Sequence, residues 1–160
     1  MSTPTTQHTP LDLGTLITRI ALGGVMVAHG GQKAFLNGVS GTQQGFSGMG
    51  APLPELSAVL VILLELGGGL LIILGLLTRV VALLNVVSMV GAAVLVHLAR
   101  GFFAADGGWE LVGLLAVISL ALVVGGPGRL SIDRVITARR RGRSRVGQER
   151  RTEQVSAAAA

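Results

Sequence analysis

Three polar side chains lie close together in an otherwise apolar stretch: His29, Gln32 and Lys33. His29 and Lys33 are four residues apart, so a helix places them on one face, and Gln32 extends that face. A carboxylate, Glu65, lies inside a second apolar stretch. An ionisable group in an apolar span costs ~2.5–3.5 kcal/mol, so such groups indicate a site by default. An acid beside an amine and an imidazole suits proton transfer coupled to electron transfer, the chemistry that a quinone requires.

Two more candidates lie near the ends of later apolar stretches, His97 and Glu110. With a helical rise of ~1.5 Å per residue, all of these groups fall toward the same side of an up-down bundle. The sequence therefore predicts proton handling by Glu65 and His29, and ligand binding by Gln32, Lys33, His97 and Glu110.

Other chemistries stay open for the same residues. His29 and Glu65 also suit a structural pair that fixes helix register. Two histidines suit a haem iron, and His29, His97 and Glu65 suit a divalent cation, by ligand type alone. The chain has no cysteine, which excludes disulfides, iron–sulfur clusters and the Cys-x-x-Cys-His haem attachment. No site residue is assigned to a metal, and the cofactor stays open, with a quinone as the candidate.

Four apolar stretches must position these groups, and they run Leu13–Phe35, Leu56–Leu77, Val80–Ala99 and about Gly107–Gly126. A hydrocarbon core of ~30 Å needs ~20 apolar residues, and helices satisfy the backbone inside lipid. Charged residues make up only 13% of the chain, too few for the surface of a soluble domain. The sequence predicts an all-α integral membrane protein, a four-helix bundle of up-down topology. The connection from Leu36 to Glu55 reads as a loop, because it is rich in Gly and Pro.

Charge sets the orientation. With four spans, one side holds Arg19, Arg79 and nine arginines after position 128, and the other side holds Lys33 and Arg100. The positive-inside rule then predicts that both termini are cytoplasmic, in a multi-pass protein of the cell membrane.

Small and polar residues predict how the helices meet. Gly24-x-x-x-Ala28 and Ser88-x-x-x-Ala92 have the spacing of close helix contact, and we expect packing within the chain rather than dimerisation. The run Gly67-Gly68-Gly69 gives its helix a flat side. We expect Arg19 to snorkel toward the interface and Asn85 to form an interhelical hydrogen bond.

The C-terminal segment is basic, with arginines at 139–141, 143, 145, 150 and 151. It lacks apolar periodicity, so we predict a disordered cytoplasmic tail. Three roles stay open: enforcing topology, binding anionic lipid, or recruiting a partner. Because no aromatic residue is interleaved, we predict no nucleic-acid binding. The predicted organisation is a polar tail at 1–12, a transmembrane domain at 13–134 and the Arg-rich tail at 135–160.

The chain resembles the DoxX family of small four-helix membrane proteins. The resemblance rests on Ala28-His29-Gly30-Gly31-Gln32-Lys33, on Glu65-Leu66-Gly67-Gly68-Gly69-Leu70-Leu71, on Trp109-Glu110-Leu111 and on the closing Gly-Pro-Gly-Arg-Leu-Ser-x-Asp at 126–133. Its pattern positions are Arg19, His29, Gln32, Lys33, Glu65, Arg79, Glu110, Arg129 and Asp133. The resemblance implies a link to quinone-reactive subunits, or to assemblies that join cytosolic redox enzymes at the membrane.

Two functions stay open on these residues. One is a redox-associated subunit, with or without its own oxidoreductase activity, that binds a quinone-like molecule. The other is a non-catalytic scaffold that docks cytosolic redox enzymes.

Overall fold

A computed structural model describes residues 10–139, and the structural findings concern those residues. Helix α1 is Pro10–Leu36, α2 is Gly38–Gly48, α3 is Pro54–Leu74, α4 is Thr78–Arg100 and α5 is Glu110–Gly125. A sixth helix, α6, covers residues 132–139. Helices α1, α3 and α4 are long and apolar enough to cross a bilayer, and α5 is a shorter apolar helix. The prediction of an all-helical membrane protein is confirmed.

Glycine contacts bring α1 and α3 together. A Cβ atom on Gly23 would lie 2.6 Å from the carbonyl oxygen of Gly69, and one on Gly69 would lie 2.8 Å from that of Gly23. The flat side predicted for the glycine run of α3 is therefore confirmed. Gly24 meets nothing within 4 Å, and Ala28 is exposed. The prediction that Gly24 and Ala28 pack within the chain is wrong, because neighbouring helix positions point about 100° apart and Gly23 makes the contact.

A side-chain hydrogen bond joins α4 to α5. The Nδ2 atom of Asn85 donates to the Oγ atom of Ser119 at 2.8 Å, and that hydroxyl donates to the carbonyl of Leu115 at 2.7 Å. The predicted interhelical bond of Asn85 is confirmed. The apolar core surrounds it and comprises Leu22, Met26, Ile72, Val81, Ala82, Met89, Leu115 and Leu122.

Helix α2 occupies the connection that the sequence predicted as a loop, so that prediction is wrong. Thr42 is its buried residue, and its hydroxyl lies 3.0 Å from the carbonyl oxygens of both Lys33 and Gly38. Short glycine-rich helices are marginal in isolation, and tertiary contacts supply the missing stability. Here those contacts are made by Thr42 and by the packing of α2 on α3.

A buried arginine, Arg19, forms hydrogen bonds at the end of the bundle where α3 ends and α4 begins. Arg19 is 2% exposed, so the prediction that it snorkels is wrong. Its Nε atom donates to the carbonyl of Ile72 at 3.0 Å and its Nη2 atom to that of Ile73 at 2.8 Å. Its Nη1 atom donates to Pro127 at 2.7 Å and to Leu130 at 2.8 Å. We call these four bonds the arginine lock, which ties the segment after α5 to α1 and α3.

Asp133 reinforces the same end. Its carboxylate oxygens accept the backbone N–H groups of Leu77 at 3.0 Å and Thr78 at 3.1 Å, where α4 begins. Such a contact satisfies N–H groups that have no partner within the helix. Gly75 has a φ angle of +68°, and a Cβ atom there would lie 2.6 Å from that of Ser131. A side chain at 75 would therefore be strained and would push this segment away.

Helix α6 begins inside the transmembrane domain predicted from the sequence and continues into the segment predicted as the Arg-rich tail. Residues 135–139 are helical. The rest of that tail and the first nine residues lie outside the described residues.

Candidate functional site

An ion pair joins the last turn of α1 to the middle of α3. The Nζ atom of Lys33 lies 2.6 Å from the Oε2 atom of Glu65. Glu65 is 5% exposed, whereas the Lys33 side chain is 23% exposed. These two of the predicted site residues are brought together, and the lysine end of the pair faces outward.

Gly30 makes this pair possible. A Cβ atom at Gly30 would lie 2.5 Å from the backbone nitrogen of Leu66 and 2.9 Å from the carbonyl carbon of Glu65. The backbones of α1 and α3 therefore touch one turn before Lys33, and the ammonium reaches the carboxylate directly. The sequence showed Gly30 inside a family motif but gave no sign of this contact.

Both members of the pair lie in π-helical turns. Lys33 belongs to the turn Gln32–Leu36 and Glu65 to the turn Leu64–Gly68. A third such turn, Ala93–His97, ends at His97. Single π-turns inside α-helices occur frequently at functional sites, because they shift side chains and carbonyls out of the regular register.

His29 and Gln32 flank the pair without joining it. Both side chains are exposed. Across residues 10–139 neither forms a hydrogen bond, so the structural pair considered between His29 and Glu65 is not made; Lys33 takes that place. The donors of His29 and Gln32 are available to a ligand at the exposed side of Lys33.

His97 and Glu110 hold the connection between α4 and α5. The Nδ1 atom of His97 lies 2.6 Å from the carbonyl oxygen of Gly107. Because a carbonyl only accepts, Nδ1 is the donor in this contact. The Oε2 atom of Glu110 accepts the N–H of Ala104 at 2.9 Å. These contacts order the connection, and the predicted ligand-binding role of both residues stays a prediction.

The pair can form hydrogen bonds and move protons without a metal. An ammonium has three donors, and Glu65 accepts from Lys33 at one of its oxygens. Lys33 can therefore donate to a further acceptor while remaining paired. Among the described residues, no group of three His, Cys, Asp or Glu side chains could hold a metal ion.

These observations define a class: a helical membrane protein with an ion pair buried between two apolar helices and polar donors at its edge. The DoxX family model matches residues 14–98, more than half of the chain. The chain belongs to the DoxX family. Of its pattern positions, Arg19 and Asp133 bond at the lock end, and Lys33 and Glu65 form the ion pair at the other end.

Curated relatives agree with this assignment. The chain is 34% identical over 122 residues to the Bacillus subtilis protein named "Putative oxidoreductase CatD", covering 76% of this chain and 86% of that protein. It is 32% identical over 124 residues to the Escherichia coli inner membrane protein YphA, covering 74% and 87%. It is 36% identical over 127 residues to the inner membrane protein YqjF of the same organism, covering 78% and 93%. No solved structure matches this chain.

Proposed function

We propose that this protein is a redox-associated membrane subunit that binds a quinone-like molecule at the exposed side of the Lys33–Glu65 pair. The proposal rests on that pair, in which Lys33 Nζ lies 2.6 Å from Glu65 Oε2 between two apolar helices and the lysine side chain is 23% exposed. A binding site needs an accessible donor, and the partly exposed ammonium group of Lys33 provides one. A relative that is named as an oxidoreductase supports the redox assignment.

The residues suit a quinone carbonyl group. Lys33 and Gln32 donate hydrogen bonds to a carbonyl oxygen, while His29 and Glu65 exchange protons with it. A bound quinone supplies the redox chemistry, taking up two electrons and two protons on full reduction. Because the chain has no cysteine, the electrons come from a bound group or a partner rather than from a thiol site of this chain.

Four spans with both termini in the cytoplasm form part of the same proposal. Helix α5 has 16 residues, about 24 Å of helix. That length is short of the ~30 Å core, so flanking residues or local thinning must complete the span. Orientation follows from charge: arginines 79, 129, 134 and 139 belong to the lock end, whereas Lys33 and Arg100 lie at the opposite end.

The test compares the wild type with a double variant, Lys33→Met and Glu65→Leu. Replacing a buried ion pair by apolar residues is often neutral for stability, so this variant is expected to fold. We expect quinone near one mole per mole in the organic extract of the purified wild type, and a loss of at least ten-fold in the double variant. Glu55→Gln is the control, because Glu55 is an exposed carboxylate in the first turn of α3 and has no part in the proposed site, so this variant should retain quinone.

The outcomes are distinct. Equal quinone in the wild type and the folded double variant, or none in either, would overturn the proposed site. A folded double variant without quinone excludes a purely structural pair.

The alternative is a scaffold that docks cytosolic redox enzymes through the Arg-rich tail. One observation favours it: the lock and Asp133 hold the start of α6 firmly, so the tail leaves from a fixed point. Deleting residues 140–160 should then abolish co-purification of partner enzymes while the bundle stays folded. Unchanged co-purification would reject this function, and unchanged binding to anionic vesicles would reject lipid contact by the tail.

A further inference from the structure

A groove separates α1 from α5 at the lock end of the bundle. It has a volume of about 300 Å³, and its lining includes Pro10, Gly14, Thr15 and Thr18 of α1 and Gly125 and Gly126 at the end of α5. Along α1 it extends from Pro10 to Thr18, which is about 12 Å at the helical rise. It therefore runs from the interface into nearly one leaflet of the hydrocarbon core.

The lining suits an aliphatic chain. Its two hydroxyl groups are already used, because Thr15 donates to the carbonyl of Leu11 and Thr18 to that of Gly14, both at 2.9 Å. The remaining lining is aliphatic, apart from glycine backbone. A polar ligand would find no free side-chain donor there, and burying an unpaired polar group is costly.

Positive charge stands at the interfacial end of the groove. The Arg79 guanidinium lies beside Gly126, since a Cβ atom on that glycine would be 3.1 Å from its Nε and Nη2 atoms. On the other side, the backbone N–H of Arg129 donates to the Oδ1 atom of Asp12 in the first turn of α1. The side chain of Arg129 is exposed and forms no hydrogen bond within residues 10–139.

We infer that this groove binds an anionic phospholipid, with one acyl chain between α1 and α5 and the phosphate at Arg79 and Arg129. The buried carboxylate of Asp12 holds the Arg129 backbone and leaves its guanidinium to the lipid. Arg134 and Arg139 add to the positive field of this end. This site is independent of the proposed quinone site, which lies at the other end of the bundle.

The experiment is native mass spectrometry of the full chain, purified in detergent and incubated with equal amounts of phosphatidylglycerol and phosphatidylcholine. We expect the wild type to retain phosphatidylglycerol preferentially. An arginine near a membrane surface contributes about 1 kcal/mol to anionic lipid binding, or about a five-fold preference. Arg129→Gln should reduce the preference by about that factor, and Arg100→Gln, at the opposite end, should leave it unchanged.

A second pair of variants tests the groove itself. Gly14 and Gly125 line it and have open space where a side chain would go, so Gly14→Leu with Gly125→Leu fills it without displacing the backbone. This double variant should lose retained lipid of both kinds. Gly24→Leu is the matched control, because Gly24 lies on the same helix, is exposed and also meets nothing within 4 Å.

Three results would overturn the inference. The first is no preference between the two lipids in the wild type. The second is retention by the filled variant at the level of the Gly24→Leu control. The third is loss of the preference when residues 140–160 are deleted, which would assign it to the tail.

Discussion

Replacing Arg19 by Met should destabilise this protein more than replacing any exposed arginine. The guanidinium makes four hydrogen bonds of 2.7–3.0 Å to carbonyl oxygens, and it is 2% exposed. Charge-assisted bonds contribute about 1.5–3 kcal/mol each, or about 6–12 kcal/mol in gross terms. The methionine variant no longer buries a charge, and the desolvation cost that it avoids offsets several kcal/mol of this loss. We expect a net loss of about 3–5 kcal/mol in the free energy of unfolding, because four carbonyl oxygens lose their donor and each unsatisfied buried group costs about 1–3 kcal/mol.

The assay is unfolding in mixed detergent micelles, followed by the fluorescence of the single tryptophan, Trp109. Arg79→Met is the matched control, because the Arg79 side chain is exposed and makes one bond of 3.3 Å to the carbonyl of Val124. An exposed contact of this kind is worth up to about 1 kcal/mol. If the free energies of unfolding of the two variants differ by less than about 1 kcal/mol, the four bonds of Arg19 do not stabilise the bundle and the reasoning is refuted.

Three more predictions concern the contacts that position the site. Gly30→Val should force α1 away from α3 and lower the amount of quinone that co-purifies with the protein, whereas Gly24→Val should leave that amount unchanged. Equal amounts of quinone in the two variants would contradict the contact of Gly30 with α3. Ser119→Ala should cost about 1–3 kcal/mol by leaving the buried Asn85 amide without its partner, and Asn85→Leu made on top should add little; fully additive losses in detergent unfolding would reject the coupling. Thr42→Val should speed hydrogen exchange across α2 at unchanged global stability, and unchanged exchange would show that this hydroxyl does not hold the helix.

The helical class and the apolar spans could be predicted from the sequence because hydropathy and length are local properties. The bond made by Asn85 was predictable for a similar reason, since a polar side chain inside a span needs a partner. The pairing of Lys33 with Glu65 was within reach but not unique, because the same periodicity offered His29 as a partner. Choosing between them depends on how closely α1 and α3 approach, which Gly30 decides.

The lock and α2 were beyond sequence reasoning for a different physical reason. Carbonyl groups have no side-chain signature, so the four acceptors of Arg19 come from backbone brought together only by the fold. Snorkelling is the ordinary outcome for an arginine near a span end, and tertiary structure overrode it here. Helix α2 has weak intrinsic propensity, and the contact of Thr42 with the freed carbonyl of Lys33 depends on a π-turn that composition does not reveal.

The two ends of the bundle differ in how far their charged side chains are bonded within the chain, and this difference favours a ligand at the Lys33 end. At the lock end, the buried Arg19 donates four hydrogen bonds and Asp133 accepts with both carboxylate oxygens, so these two charged groups are committed to the fold. At the other end, Lys33 makes one side-chain bond, and His29 and Gln32 make none within the described residues. Polar groups at membrane depth are costly when they have no partner, so the exposed donors of His29 and Gln32 favour a ligand that offers an acceptor. In the proposed function a quinone carbonyl is that acceptor, whereas the lipid proposed for the lock end would meet an apolar groove and surface arginines.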